Sequence, residues 1–270
     1  MEQPAEIQPA KSPPGLLGGV DAVDKWVSLR VYQIGTKVPR GILRALEHSG
    51  DGRFCIPITA GIWLAPILFK FPELRSFILN LFLAFMFDLI FIGIVKTIIR
   101  RPRPVYNKGM YVFVAADHWS FPSGHSSRAL LIATYFWFYE SMWGPLSAEH
   151  FVPYIKPYLD QIYPGSGLVL LGVKSLVAPA ALYLLTAWAV ATATSRILLG
   201  RHYVMDVIVG SALGVAEGYL LHHLLHVPQN VSQSFHSWLL EKVGIPSWLL
   251  DMLAYYHDSS STAARDELEK

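Results

Sequence analysis

The chain has 270 residues, of which 53% are hydrophobic and 16% charged, and its mean hydropathy is +0.36. Soluble domains carry about 25% charged residues, so this composition points to a membrane protein. A net charge of +2 offers no basic field for nucleic acid, and a single cysteine, Cys55, excludes an internal disulfide framework or a cysteine-based metal cluster.

In chain order, MEQPAEIQPAKSPPG is acidic and proline-rich and lacks the apolar core of a secretory signal. Residues 1–19 read as a disordered N-terminal segment. The next stretch, VDAVDKWVSLRVYQIGTKVPRGILRALEHSG, mixes apolar and basic positions at near-helical spacing. It is too charged to span and reads as an amphipathic helix on the membrane surface. Five apolar segments follow: Phe54 to Phe69 (marginal in length), Phe77 to Ile99, Ser126 to Trp143, Leu168 to Thr194 and Tyr203 to His226. A span needs about 20 mostly apolar residues and must be helical, since lipid satisfies no backbone group. The expected fold is therefore all-α: a multi-pass transmembrane bundle of about five spans plus the amphipathic helix. Between the third and fourth spans, the proline- and tyrosine-rich residues Gly144 to Gly167 read as an interfacial excursion. Residues 20–256 form one membrane domain, and residues 257–270 a polar tail.

Alternating the spans across a bilayer places the end of the second, the start of the third, the end of the fourth and the start of the fifth on one face. Unusual polar residues collect at those four ends: KTIIRRPRP, FPSGHSSR and SRILLGRHYVMD. They predict an active site at one membrane face. Lys96, Arg103 and Arg196 are fixed cations, and guanidinium groups match phosphate oxygens bidentately. Ser123 and Gly124 offer a hydroxyl and an unhindered N–H ahead of a helix start, a favoured place for an anion. His125 and His202 can exchange protons or attack. Asp206, four residues after His202, lies on the same helical face and is placed to hold one ring nitrogen. This set suits phosphoryl transfer, with cations in the electrostatic role that a metal plays elsewhere.

The three motifs are Lys96 with six residues to Arg103-Pro104, Pro122-Ser123-Gly124-His125, and Ser195-Arg196 with five residues to His202 and three more to Asp206. Together they resemble the type-2 phosphatidic acid phosphatase superfamily. The resemblance implies a phosphohydrolase that uses no metal or other cofactor, with His202 as the phosphohistidine nucleophile and His125 as the acid for the leaving group. Lys96, Arg103, Ser123, Gly124 and Arg196 would hold the phosphate. The flanks RRPRPVYN, FPSGHSSRA and RILLGRHYVMDV look most like the polyisoprenoid (presqualene) diphosphate phosphatases. That likeness implies farnesyl, geranylgeranyl or presqualene phosphates as substrates, with phosphatidate or sphingoid phosphates as the alternative.

The remaining polar residues read more plainly. Arg100, Arg101 and Arg201 serve as headgroup anchors, and His118 and Arg128 flank the loop without touching substrate. His222, His223 and His226 are interfacial. Asp88 and Glu217, inside spans, form a polar network. The basic residues Lys11, Lys25, Arg30, Lys37, Arg40, Arg44 and Arg53 precede the first span on the pocket side, which predicts a cytoplasmic site. The expected location is the endoplasmic reticulum, with the nuclear envelope as the alternative. The expected partners are a lipid phosphate and membrane lipids, not nucleic acid; the oligomeric state is left open. A catalytically silent scaffold of the same family would lack motif residues, a vanadium haloperoxidase would be soluble, and a transporter would line a path through the bilayer with its polar residues.

Overall fold

The computed structural model describes residues 16–65, 71–106, 118–143 and 167–244, with side chains of the helix that starts at Gly167 described from Pro179 on. Its helices follow the apolar runs between breakers: α1 (Leu16–Gly35), α2 (Arg40–Ser49), α3 (Gly52–Leu64), α4 (Pro72–Ile99), α5 (Gly124–Phe138), α6 (Gly167–Leu198), α7 (Val204–His223) and α8 (Gln229–Val243). Among the described residues the one β pairing is an isolated bridge between Pro102 and Trp119. The expected all-α fold is present. Pro72–Ile99, Pro179–Leu198 and Val204–His223 are each long and apolar enough to cross a bilayer.

The helices differ from the sequence expectation in five places, one of them α5, which ends at Phe138, short of the expected Ser126 to Trp143 span. The single amphipathic stretch is two helices, because Pro39 cannot continue α1 and instead sits as the N-cap of α2. α1 begins at Leu16, inside the segment expected to be disordered. α3 has 13 described residues, which at about 1.5 Å per residue fall short of the bilayer core. α8 was not anticipated: its buried residues Ser232, His236 and Leu240 recur every four positions, while the apolar Val231, Phe235 and Trp238 are exposed. The expectations for residues 1–15, the 144–166 excursion and the 257–270 tail lie outside the described residues.

The chain divides into two compact units. One combines residues up to Gly52 with Phe87–Tyr219; the other combines Arg53–Met86 with residues from Leu220 on. In the second unit the buried side chain of Asn80 ties α4 to the start of α8. Its Nδ2 donates to the Val227 carbonyl at 3.0 Å, and its Oδ1 accepts from the Val227 N–H at 2.7 Å. Arg75 and His236 meet there at 3.4 Å, with the Trp63 ring edge-on to His236.

The first unit carries the motifs, and small residues set its spacing. α5 packs along α6 through Ala129, Ala133 and Ala189. On α7, Gly210, Gly214 and Gly218 repeat every four residues. A Cβ on Gly210 would stand 2.5 Å from the Ser123 carbonyl oxygen, one on Gly214 would overlap the Ser127 carbonyl, and one on Gly218 would stand 3.0 Å from Thr134. This small-residue stripe lets the backbones of α5 and α7 approach. It brings the start of α5 against the start of α7, where the second and third motifs meet.

Candidate active site

The three motifs are joined first by backbone. After α4 the chain turns at Arg100, whose φ is 50°. The Ser120 N–H then donates to the Arg101 carbonyl at 2.8 Å, and the Ser123 N–H to the Asp206 carbonyl at 2.9 Å. Ser123 caps α5: its Oγ accepts from the Ser126 hydroxyl at 2.8 Å and the Ser126 N–H at 3.4 Å. Gly124 is the first helical residue.

α6 ends in a Schellman turn. Gly200 has φ 75°, its N–H donates to the Ile197 carbonyl at 2.9 Å, and the Arg201 N–H donates to the Arg196 carbonyl at 2.9 Å. That turn folds His202 back towards Arg196. Lys96, Arg103 and Arg196 consequently act electrostatically on His202, and Lys96, Arg196 and His202 on His125. Ser123, His202, Asp206 and Arg196 are all buried.

His202 is held by two hydrogen bonds of opposite sense. Its Nδ1–H donates to the Ser120 carbonyl at 2.7 Å. Arg103 Nη1, which can only donate, stands 3.2 Å from Nε2 and donates to the Arg201 carbonyl at 2.8 Å. The ring is therefore the neutral Nδ1–H tautomer with its lone pair on Nε2. Burial first, then Arg103, Arg196 and Lys96, hold its pKa well below the ordinary histidine value.

Asp206 was expected to hold the His202 ring. Its Oδ2 instead lies 3.7 Å from Nδ1, beyond hydrogen-bond length, and accepts the Tyr203 N–H at 2.9 Å. Its Oδ1 accepts from Arg101 at 2.6 Å. Arg101 is thus no headgroup anchor: its other nitrogen donates to Asp21 at 2.9 Å and Asp24 at 2.7 Å, both on α1. The same helix caps α7, for Ser28 Oγ accepts the Val204 N–H at 2.8 Å and Asp24 Oδ1 the Met205 N–H at 3.0 Å. From α2, Glu47 pairs with Arg196 at 2.6 Å and Arg201 at 3.3 Å. Burial pushes the Glu47 carboxyl up, but the two guanidinium groups more than reverse this and hold it below the usual value.

Lys96 Nζ donates to the Trp119 carbonyl at 3.3 Å. Arg128, expected only to flank the loop, is buried and donates to Asp88 at 2.7 Å, joining the polar network expected of Asp88 and Glu217. His118 is exposed. Among the described residues no group of three or more His, Cys, Asp or Glu side chains is placed to hold a metal ion. The α1 and α2 carboxylates and the role of Arg101 lie outside the three motifs and were not legible from them. A faint signal existed in Asp21, Asp24 and Ser28, whose spacing of three and four puts them on one helical face.

The family model of the PAP2 superfamily matches residues 77–229, a range that contains all three motifs. The chain belongs to the PAP2 superfamily. Over 208 residues it is 39% identical to the Arabidopsis thaliana protein named probable lipid phosphate phosphatase beta, a match covering 74% of this chain and 88% of that one. It also resembles the crystal structure of a transmembrane PAP2-type phosphatidylglycerolphosphate phosphatase from Bacillus subtilis. There the TM-score is 0.52 at 23% identity, covering 76% of this chain and 85% of that one, a likeness of fold. As a PAP2 protein the chain is an integral membrane protein whose motif residues cluster in one unit. Its α1 and α2 stand ahead of the matched range.

Proposed function

We propose that this PAP2 protein is a metal-independent lipid phosphate phosphohydrolase that works through a phosphohistidine on His202, with polyisoprenoid mono- and diphosphates as substrates. The observation that carries the reading is the His202 ring, fixed with Nε2 unprotonated beside Arg103 and within the field of Lys96 and Arg196. A phosphate entering between these cations draws the Arg103 guanidinium off Nε2 and presents phosphorus to the freed lone pair. The N–P bond forms as the P–O bond to the leaving oxygen breaks, and His125 supplies that oxygen's proton. Water then attacks phosphorus, the P–N bond breaks, a water proton returns to His125, and phosphate departs. Lys96, Arg103, Arg196, Ser123 and the Gly124 N–H at the start of α5 stabilise charge on the phosphoryl oxygens. Asp206 acts on His202 through charge and through its grip on the Tyr203 N–H.

The isoprenoid assignment rests on the motif flanks. A broader preference for phosphatidate or sphingoid phosphates is the second reading, favoured by the name of the 39% identical relative. A silent scaffold is disfavoured because every motif residue is present. α1 and α2 reach the site through Asp24 and Glu47 and carry Lys25, Arg30, Lys37, Arg40 and Arg44 in sequence, which under the positive-inside rule supports a cytoplasmic orientation. The endoplasmic reticulum is the proposed membrane.

A substrate panel on the detergent-purified protein tests the assignment: farnesyl and geranylgeranyl diphosphates, their monophosphates, phosphatidate and a sphingoid phosphate. The isoprenoid phosphates should have the highest kcat/KM. A panel led by phosphatidate would select the second reading, and no release from any member would leave the scaffold.

A further inference from the structure

Asp51 lies well before residue 77, where the family match begins. It occupies the short connection between α2 and α3, in the run Ser49-Gly50-Asp51-Gly52. Its N–H donates to the His48 carbonyl at 3.2 Å, and Arg128 Nη1 donates to the Gly50 carbonyl at 3.3 Å. The two glycines permit this approach: a Cβ on Gly50 would stand 2.8 Å from Thr192 Cγ2, and one on Gly52 3.0 Å from Arg128 Cζ. The backbone is thereby pressed against the site, and the buried Asp51 carboxylate stands 3.9 Å from Nε2 of His125.

The groups that act most strongly on His125 are cationic or basic. They are Arg196 from α6, Arg128 from its own helix, His202 from the turn before α7 and Lys96 from α4. His125 Nε2 is buried and makes no hydrogen bond among the described residues. A proton donor must reach the reaction protonated. Fixed cations disfavour an imidazolium beside them and a carboxylate favours it. The phosphate cage supplies the cations its ligand needs and so works against its own acid; an anion placed behind the histidine offsets that conflict.

We propose that Asp51 is a positioning residue for His125, holding it as the imidazolium that protonates the leaving oxygen. The proposal rests on the phosphohistidine reading above, in which the His125 proton goes to the leaving oxygen as the P–O bond breaks and is replaced from the attacking water. Asp51 makes no contact with phosphate in this scheme; it acts on the proton through the imidazole, and its charge also reaches Arg196, an effect that does not depend on the leaving group.

Such a role depends on the leaving group, which separates it from a structural one. Farnesyl phosphate leaves as an alkoxide that needs a proton, whereas p-nitrophenyl phosphate leaves as a stable phenolate. Asp51→Asn should lower kcat/KM on farnesyl phosphate by about 10²-fold, the lower end of general-acid contributions, and on p-nitrophenyl phosphate by no more than about threefold. In a His125→Ala background it should cause no further loss that depends on the leaving group. Equal losses on both substrates, or none on farnesyl phosphate, would overturn the proposal. Should the Asn variant not fold, Asp51→Glu carries the same comparison, since its longer arm displaces the charge, with the loss again confined to farnesyl phosphate. The parent reading is judged by His125→Ala alone. If that variant shows no leaving-group selectivity, the proton-donor assignment fails; selectivity there without selectivity in the Asp51 variants overturns only the role of Asp51.

Discussion

His202 is a buried imidazole that receives a hydrogen bond from a guanidinium at Nε2 and gives one to a carbonyl at Nδ1. Both bonds favour the neutral ring, as do its burial and neighbouring cations. The sign for stability follows from that lowered pKa. The folded ring stays neutral at a pH where the unfolded histidine, with a pKa of about 6.5, takes up a proton. Its contribution is present above about pH 6.5 and falls away as the pH drops below that value. As the proposed nucleophile it likewise stays available there, so the acid limb of kcat/KM should lie below the ordinary histidine value; a limb at or above 6.5 would mean a different group. Asp206→Asn should cost about 10- to 100-fold in kcat, less than loss of His202, because the Ser120 carbonyl retains Nδ1–H; steady-state kinetics measure the difference. The His202–Asp206 spacing placed the two on one face. It carried no information on Ser120, 82 residues away, whose carbonyl takes the proton.

At the scale of elements, α1 belongs to the site. Its Asp24 and Ser28 cap α7, and its Asp21 and Asp24 pin Arg101 against Asp206. Ser28→Ala should lower stability by about 1 kcal/mol, as loss of a cap does, and Asp24→Ala by more, since it also loosens Arg101; thermal melting in detergent reads both. On α7, Gly214→Leu should abolish folding or activity, because its first carbon already overlaps the Ser127 backbone. Gly61→Ala, with nothing within 4 Å of the added Cβ, should melt as wild type does. Apolar runs made α4 and α7 legible, and α6 in outline. α1 and α2 read as membrane-surface helix because their exposed apolar face, with Val20, Val23 and Trp26, is what hydropathy detects. The inward face is short and acidic, and its partners are far along the chain. α8 was missed since its buried stripe includes Ser232 and His236.

Across the whole molecule, the PAP2 unit buries an ionisable network, Asp88–Arg128–Glu217, beside the cage among largely apolar helices. Ionisable groups at such depth are costly unless paired. Arg128→Met, which leaves two carboxylates without their cation, should therefore unfold the protein at a lower temperature than Asp88→Asn, as read by melting curves in detergent. The membrane class was legible from composition, and the clustering of three motifs on one face from alternation of the spans. The division into two units was not, because α4 and α7 each run through both and no break in composition marks the boundary. In the proposed reaction His202 is the group that takes the phosphoryl. The most direct test is phosphate release from farnesyl diphosphate by the purified protein in detergent with EDTA, wild type against His202→Ala of equal folded fraction. Wild type should release phosphate under EDTA and His202→Ala should release none; release by the variant, or a strict Mg²⁺ requirement in wild type, would contradict it.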